Sequence, residues 1–452
     1  MFRDKLTRRL ERLVHTRLVQ PVILKVHRPY FRELVEEIRP FSVAMPPLRV
    51  LARELPIFAP HIIEMPRLSM VSAVLPREVI FDLAEDFRVE RVYPDEVKWA
   101  LSVDRYPTVP REGIFALRRR GVRRVEDVYF TSTKWTKKLI GCDVANAKGY
   151  TGRGVKVAVL DTGVSLVHEQ VRGLVEAYSV MPVGPLDSNG HGTWCVSCIG
   201  GRRAVDNVLY RMTGQYVEVE GMAPDASLIS IKVLDFIVGA GSDSMVLKGI
   251  EMALDMGAKI VSLSLGGDIT AFSQEEDPYY EVVFEATENG VIFSVAAGNS
   301  GPAEGTIGTP AWLEPTLAVG ATDPLTGDIA PYSSRGPTPD GRVKPDVVAP
   351  GGGYPGNGIL SAITGLLDMA GDGVPSRYSP IQGTSMATPH VSGLLACAAQ
   401  AWRRLLGGEL TTHEVKRMMS ELGHEKSNVD GWGFIDWFKF EEWLETEHGV
   451  RV

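Results

Sequence analysis

Short, nearly unbroken apolar runs that stop at glycine-containing polar turns set the tightest limit on how this chain folds. Residues 155–160 (VKVAVL) end at Asp161-Thr162-Gly163, and residues 292–296 (IFSVA) end at Ala297-Gly298-Asn299-Ser300-Gly301. Runs of this length without polar alternation fit strands covered on both faces, the pattern of parallel sheets flanked by helices. The expected fold class is therefore α/β. In open sheets of this kind, sites form at the C-terminal ends of the strands, so Asp161 is a carboxylate in a position suited to chemistry.

Two further blocks supply partners for it. Asn189-Gly190-His191-Gly192-Thr193 introduces an apolar stretch with helical spacing, which sets His191 at a helix N-terminus. Gly383-Thr384-Ser385-Met386-Ala387-Thr388-Pro389-His390 offers the Ser385 hydroxyl on a Gly-Thr turn just before a helix. A serine alone is weak evidence, because most serines solvate turns or cap helices. A nucleophilic serine needs a base for its proton, and the base needs a carboxylate to fix its tautomer and stabilise the imidazolium. The order along the chain is Asp, His, Ser, which differs from α/β-hydrolases (Ser, Asp/Glu, His) and from chymotrypsin-like enzymes (His, Asp, Ser).

Together these blocks resemble the signature segments of the subtilisin-like serine proteases, which run Asp, His, Ser. The resemblance implies a subtilisin-like parallel-sheet domain with helices on both faces. The implied activity is a serine endopeptidase working through an acyl-enzyme on protein or peptide substrates. The 297–301 block is similar to the family segment whose asparagine amide points at the developing oxyanion, so Asn299 and the Ser385 backbone N–H are the expected donors. Ser264-Leu265-Gly266-Gly267 resembles one wall of the primary specificity pocket, and Ala296-Ala297-Gly298-Asn299 the other. Gly239-Ala240-Gly241 resembles the segment that pairs with substrate backbone, a recognition mode that suits varied sequences. Spacing to Pro310 sets Gly308 at the pocket floor, where a missing side chain leaves space and no charge, so large apolar P1 residues are expected. A catalytically inactive binding fold and a serine esterase are the rival readings; the complete triad argues against the first, and the triad order and peptide-like cleft against the second.

The chain divides near residue 130. Before it, the pattern β-α-β-β-α-β predicts a small α+β ferredoxin-like domain. It resembles the propeptide of these proteases, most closely in Ala73-Val74-Leu75-Pro76 and Val89-Glu90-Arg91-Val92-Tyr93-Pro94-Asp95. Residues 1–130 are thus expected to act as propeptide, an intramolecular chaperone and inhibitor removed by autoprocessing, and residues 131–452 as the peptidase domain. Charge is split accordingly: 24 Lys+Arg against 18 Asp+Glu in 1–130, and 24 against 38 in the remainder, which favours association. The Arg-rich run at 118–124 carries no interleaved aromatics, so a solvated surface is expected and no nucleic-acid partner.

Four cysteines are too few for a disulfide framework. Cys195 and Cys198 form a C-x-x-C, but no second pair completes a tetrahedral metal site, so both are expected to be buried thiols, with Cys195 near His191. The family resemblance brings calcium into view, yet residues 200–220 lack the Asn-rich loop such a site would use, so no metal ligand and no cofactor are assigned. No apolar run approaches the length of a membrane span. Residues 1–19 set Leu6, Leu10 and Leu13 at helical spacing among arginines without a secretory apolar core; this predicts an amphipathic helix packed on the N-terminal domain, and a cytoplasmic chain over an exported one.

Overall fold

The computed structural model describes residues 5–16, 19–42, 49–50, 53–54, 62–100, 131–207, 210, 216–235, 239–353, 358–364 and 377–452. The Arg-rich run at 118–124 and the boundary near 130 lie outside them. Seven parallel strands form the central sheet: β1 Lys156–Asp161, β2 Val175–Ser179, β3 Ser227–Lys232, β4 Ile260–Leu263, β5 Ile292–Ala296, β6 Leu317–Thr322 and β7 Val347–Pro350, in the order β2-β3-β1-β4-β5-β6-β7. The apolar runs are long because both faces are covered. Val157, Val159, Ile260 and Val319 pack with the helices His191–Gly200 and Thr384–Leu406. Their neighbours Ala158, Leu160, Val261 and Val295 pack on the other face with Asp243–Asp255 and Tyr280–Glu288.

Strand order explains where a site can form. From β1 the chain adds β2 and β3 on one side, then crosses to build β4 to β7 on the other. Connections on either side of β1 and β4 therefore diverge, and a crevice opens at their C-terminal ends. Asp161 ends β1, Ser264 follows β4, and Ala297 to Asn299 follow β5.

The N-terminal part folds as the alternation predicts. Strands Ile62–Met65, Met70–Pro76, Val19–Val26 and Val89–Pro94 lie side by side in that order, all antiparallel, with helices Phe31–Ile38 and Arg77–Glu85 in the crossovers. This is β-α-β-β-α-β. The helix Arg8–Thr16 buries Leu10 and Val14 in the same cluster as Leu34, Ile38, Ile80 and Leu83. The opposite sheet face is not solvated: Ile23, Ile63, Met65, Met70 and Tyr93 join Met245 and Val282 in one apolar cluster. Ion pairs of the expected sign cross this contact, Arg67 to Asp255 at 2.7 Å and Lys25 to Glu281 at 3.3 Å. Among the described residues no helix is long and apolar enough to cross a membrane.

Candidate active site

Asp161 is fully buried, with its Oδ1 accepting the Thr162 N–H at 2.7 Å. His191 is the first residue of its helix. A Cβ on Gly192 would lie 2.2 Å from the Gly163 carbonyl oxygen, so only glycine lets this helix start against the Asp-Thr-Gly turn. That close approach brings His191 Nδ1 to 2.7 and 2.9 Å from the two Asp161 carboxylate oxygens. A carboxylate can only accept, so Nδ1 carries a proton, and in the neutral ring the lone pair is on Nε2. Nε2 is buried and makes no hydrogen bond. Burial pushes the imidazole pKa down, but the Asp161 charge beside it more than offsets this, and the net value stands well above that of an ordinary histidine.

A second carboxylate, which motif reading missed, holds the first two blocks together. Asp187 Oδ1 accepts from Thr162 Oγ1 at 3.0 Å and from the N–H groups of Asn189 and Gly190, both at 2.9 Å. Its Oδ2 accepts from the Thr193 N–H at 2.9 Å and the Thr193 hydroxyl at 2.6 Å. Thr162 Oγ1 in turn accepts the Gly192 N–H at 2.9 Å. The sequence signal was there in the Asp-Ser-Asn-Gly cluster ahead of the helix, the composition of helix N-termini.

The helix carrying Ser385 begins at Thr384, so the serine lies in its first turn rather than before it. Its N–H therefore has no intrahelical acceptor. Ser385 Oγ donates to the Ser264 carbonyl at 2.8 Å, and Ser264 Oγ donates back to the Ser385 carbonyl at 3.0 Å, tying the serine helix to the end of β4. The hydroxyl thus bonds to backbone and not to His191, the looser arrangement common in a site without substrate. Cys195 Sγ bridges the two, 3.9 Å from His191 Nδ1 and 3.7 Å from the Ser385 carbonyl. Asn299 Oδ1 accepts both the N–H and the hydroxyl of Thr384 at 2.9 Å, which fixes its amide against the residue preceding Ser385.

The expected cleft segments converge on this centre. Ala240–Ser242 and Leu265–Gly266 stand one strand apart, and Val97–Ala100 of the N-terminal part fills the gap as an antiparallel third strand. Trp99 pairs with Ala240 on one side and Gly266 on the other, Ala100 pairs with Leu265, Lys98 with Gly241, and the Ala100 N–H donates to the Gly239 carbonyl at 2.8 Å. Gly308 joins the two segments expected to wall the pocket: its N–H bonds the Ala297 carbonyl at 2.9 Å, and a Cβ there would meet the Gly267 carbonyl oxygen at 2.9 Å. The Gly298 N–H donates to Thr384 Oγ1 at 3.3 Å.

Cys195 and Cys198 are buried free thiols on the histidine helix, and burial raises both pKa values. Among the described residues, the only converging group of potential ligands of the His, Cys, Asp or Glu type is Asp161, His191 and Cys195. His390, from the serine block, is structural: it bonds Thr136 Oγ1 at 2.6 Å and the Met386 carbonyl at 2.7 Å, and burial lowers its pKa to about 4.

Comparison with known proteins covers this architecture. The model of the subtilase family matches residues 152–433. Serine protease AprX of Bacillus subtilis (strain 168) is 35% identical over 306 residues, spanning 64% of this chain and 64% of that protein. Alkaline elastase YaB of Bacillus sp. (strain YaB) is 35% identical over 293 residues, 64% of this chain and 66% of the relative. The chain thus spans just under two thirds of the length of these two proteins. Subtilisin Savinase of Lederbergia lenta is 34% identical over 312 residues, 68% of this chain and 97% of its own length.

Proposed function

This chain belongs to the subtilase family, and from that premise we propose that it is a serine endopeptidase that hydrolyses peptide bonds through an acyl-enzyme. The observation that carries the reading is the Asp161–His191 pair at 2.7 Å with a buried, unbonded Nε2. In this scheme Ser385 Oγ leaves the Ser264 carbonyl, gives its proton to Nε2 and attacks the substrate carbonyl. Asp161 holds the tautomer and stabilises the imidazolium, and the imidazolium then protonates the leaving amine. The Asn299 amide and the Ser385 N–H stabilise the oxyanion. Gly308, with no carboxylate among Ser264, Leu265, Gly266, Ala297 and Gly298, favours large apolar P1 side chains. An added methylene contributes only about 1–3 kcal/mol in such a pocket, so the preference is broad.

The chain is also its own first substrate. The strand Val97–Ala100 supports this, because it takes the position that substrate backbone would take between Gly239-Ala240-Gly241 and Leu265-Gly266. Its last described pair sets Ala100 opposite Leu265, the residue after Ser264, whose carbonyl holds the Ser385 hydroxyl. Position 101 is leucine and 102 serine, so cleavage falls between Leu101 and Ser102. The N-terminal domain then stays in the cleft as an inhibitor until it is degraded. The test is N-terminal sequencing of purified protein: wild type starts at Ser102, whereas Ser385→Ala stays uncut. Full activity from uncut wild type, or the same cut in Ser385→Ala, refutes the scheme.

A further inference from the structure

Lys98 belongs to the strand lying in the cleft, yet it is 2% exposed. Alternation along the strand directs Lys98 inward while its neighbours Val97 and Trp99 remain partly exposed. Its stem runs over Gly267, where a Cβ would come within 3.0 Å of Lys98 Cδ, so a glycine there keeps the path open. The ammonium ends 2.9 Å from Asp243 Oδ1, and both side chains are almost fully buried. Asp277, Tyr279, Thr270 and Thr309 line it from the peptidase part and Thr7, Arg9 and Glu96 from the N-terminal part, and a cavity of about 20 Å³ remains beside the amine, room for a single water.

The two buried carboxylates of this pocket differ in where their partners come from. Asp277 is satisfied within the peptidase part, accepting from Thr309 Oγ1 at 2.6 Å, Trp312 Nε1 at 2.8 Å and the Tyr279 N–H at 3.0 Å. Asp243 instead draws on the N-terminal segment: Lys98 on Oδ1 and the Glu96 N–H on Oδ2 at 3.1 Å. When that segment leaves, Asp243 loses the cation it was paired with. Asp95 and Glu96, the acidic groups closest to Lys98 in sequence, leave with the segment. A substrate that fills the same gap meets a buried carboxylate at the position of Lys98.

We propose that the cleft carries an acidic side pocket, built on Asp243 with Asp277 behind it, that takes a lysine or arginine three residues before P1, the P4 position of the substrate. This rests on the peptidase reading above and on the cut proposed there after Leu101. Lys98 serves as the internal template. Burial works against its charge, but Asp243 outweighs that cost and keeps the amine protonated. An apolar P4 residue would leave the Asp243 carboxylate desolvated with only the neutral Tyr279 hydroxyl beside it and no cation, the situation in which truncating one member of a buried pair costs most.

Four acetyl-capped peptides, Xaa-Trp-Ala-Leu with a chromogenic leaving group and Xaa as Lys, Arg, norleucine or Glu, test this on the processed wild-type enzyme. The lysine and arginine peptides are expected to exceed norleucine in kcat/KM by on the order of tenfold or more, with glutamate lowest. In Asp243→Asn the ratio of lysine to norleucine falls towards one; if that variant does not fold, the wild-type series decides alone. Equal kcat/KM for lysine and norleucine, with both peptides cut after leucine, overturns the pocket and leaves the peptidase standing. Failure to cut any of the four overturns the peptidase reading itself and the pocket with it.

Discussion

Replacing Asp187 with asparagine tests whether the geometry between Asp161 and His191 is imposed by the buried carboxylate beneath them. Asp187 receives bonds on both oxygens, from Thr162, Asn189 and Gly190 on Oδ1 and from two groups of Thr193 on Oδ2. An amide keeps one acceptor oxygen and turns an NH2 on the other set of donors. Even in the better orientation, the Thr193 N–H loses its acceptor and the Thr193 hydroxyl exchanges a bond to a charged carboxylate for one from a neutral amide, so both charge-assisted bonds from Thr193 are lost. Hydrogen bonds to a charged group contribute about 1.5–3 kcal/mol each, so about 3–6 kcal/mol is at stake. Burial raises the Asp187 pKa despite the bonds from Thr193 and Gly190, which means desolvation is not fully offset and the lower figure is the better expectation. Measured by urea unfolding in a Ser385→Ala background to prevent autolysis, with m of about 3 kcal/mol/M, the midpoint should fall by about 1 M. In otherwise wild-type enzyme kcat should fall as well, since the first turn of the histidine helix loses its anchor to Thr162. A midpoint within about 0.2 M of the parent, in urea-unfolding curves of equal m, would refute the reasoning.

In the proposed scheme His191 must be neutral to accept a proton, and its pKa is raised well above 6.5 because Asp161 outweighs burial; kcat/KM should therefore fall as pH drops through that raised value, giving an acid limb centred above pH 6.5. Asp161→Asn removes the charge and moves the limb to lower pH, while undiminished wild-type kcat/KM at about pH 5.5 would contradict this account. Mercurials should inactivate the enzyme slowly through Cys195, whose sulfur is buried, has a raised pKa and lies 3.9 Å from His191 Nδ1. Cys195→Ala should remain active and become resistant, and wholesale loss of activity in that variant would mean the thiol has another role.

Much of this molecule was legible in one dimension because its signals are local. Residues 155–160 and 292–296 announce buried strands by composition alone, and the Asp161, His191 and Ser385 blocks each combine a reactive side chain with the glycines that let the backbone approach closely. The alternation of the N-terminal part was readable for the same reason, since its strands and helices follow one another at short range. What could not be read were pairings between distant segments that leave no periodic trace. Nothing near Lys98 indicates that its partner is Asp243, and nothing in either sequence indicates that Val97–Ala100 lies between Ala240–Ser242 and Leu265–Gly266. Asp187 sat within a recognisable turn cluster, but its reach to Thr162 depends on β1 and the histidine helix meeting in space. The Ser385 hydroxyl on the Ser264 carbonyl is a rotamer choice that no motif encodes.

The gap that Val97–Ala100 fills has a consequence for the proteins such an enzyme could attack. Its two borders are short, three residues in Ala240–Ser242 and two in Leu265–Gly266, and they face each other across the width of one strand. Only a single extended chain, free of neighbours on both sides, can enter and satisfy both borders at once. A strand inside a folded sheet, or a turn of helix, already spends its backbone groups on its own structure and cannot enter. Cleavage of a native protein would then require several consecutive residues to open first, and its rate would track the free energy of that local opening in the target. On this view the cleft discriminates among folded proteins by their stability, segment by segment, before any side-chain preference is consulted.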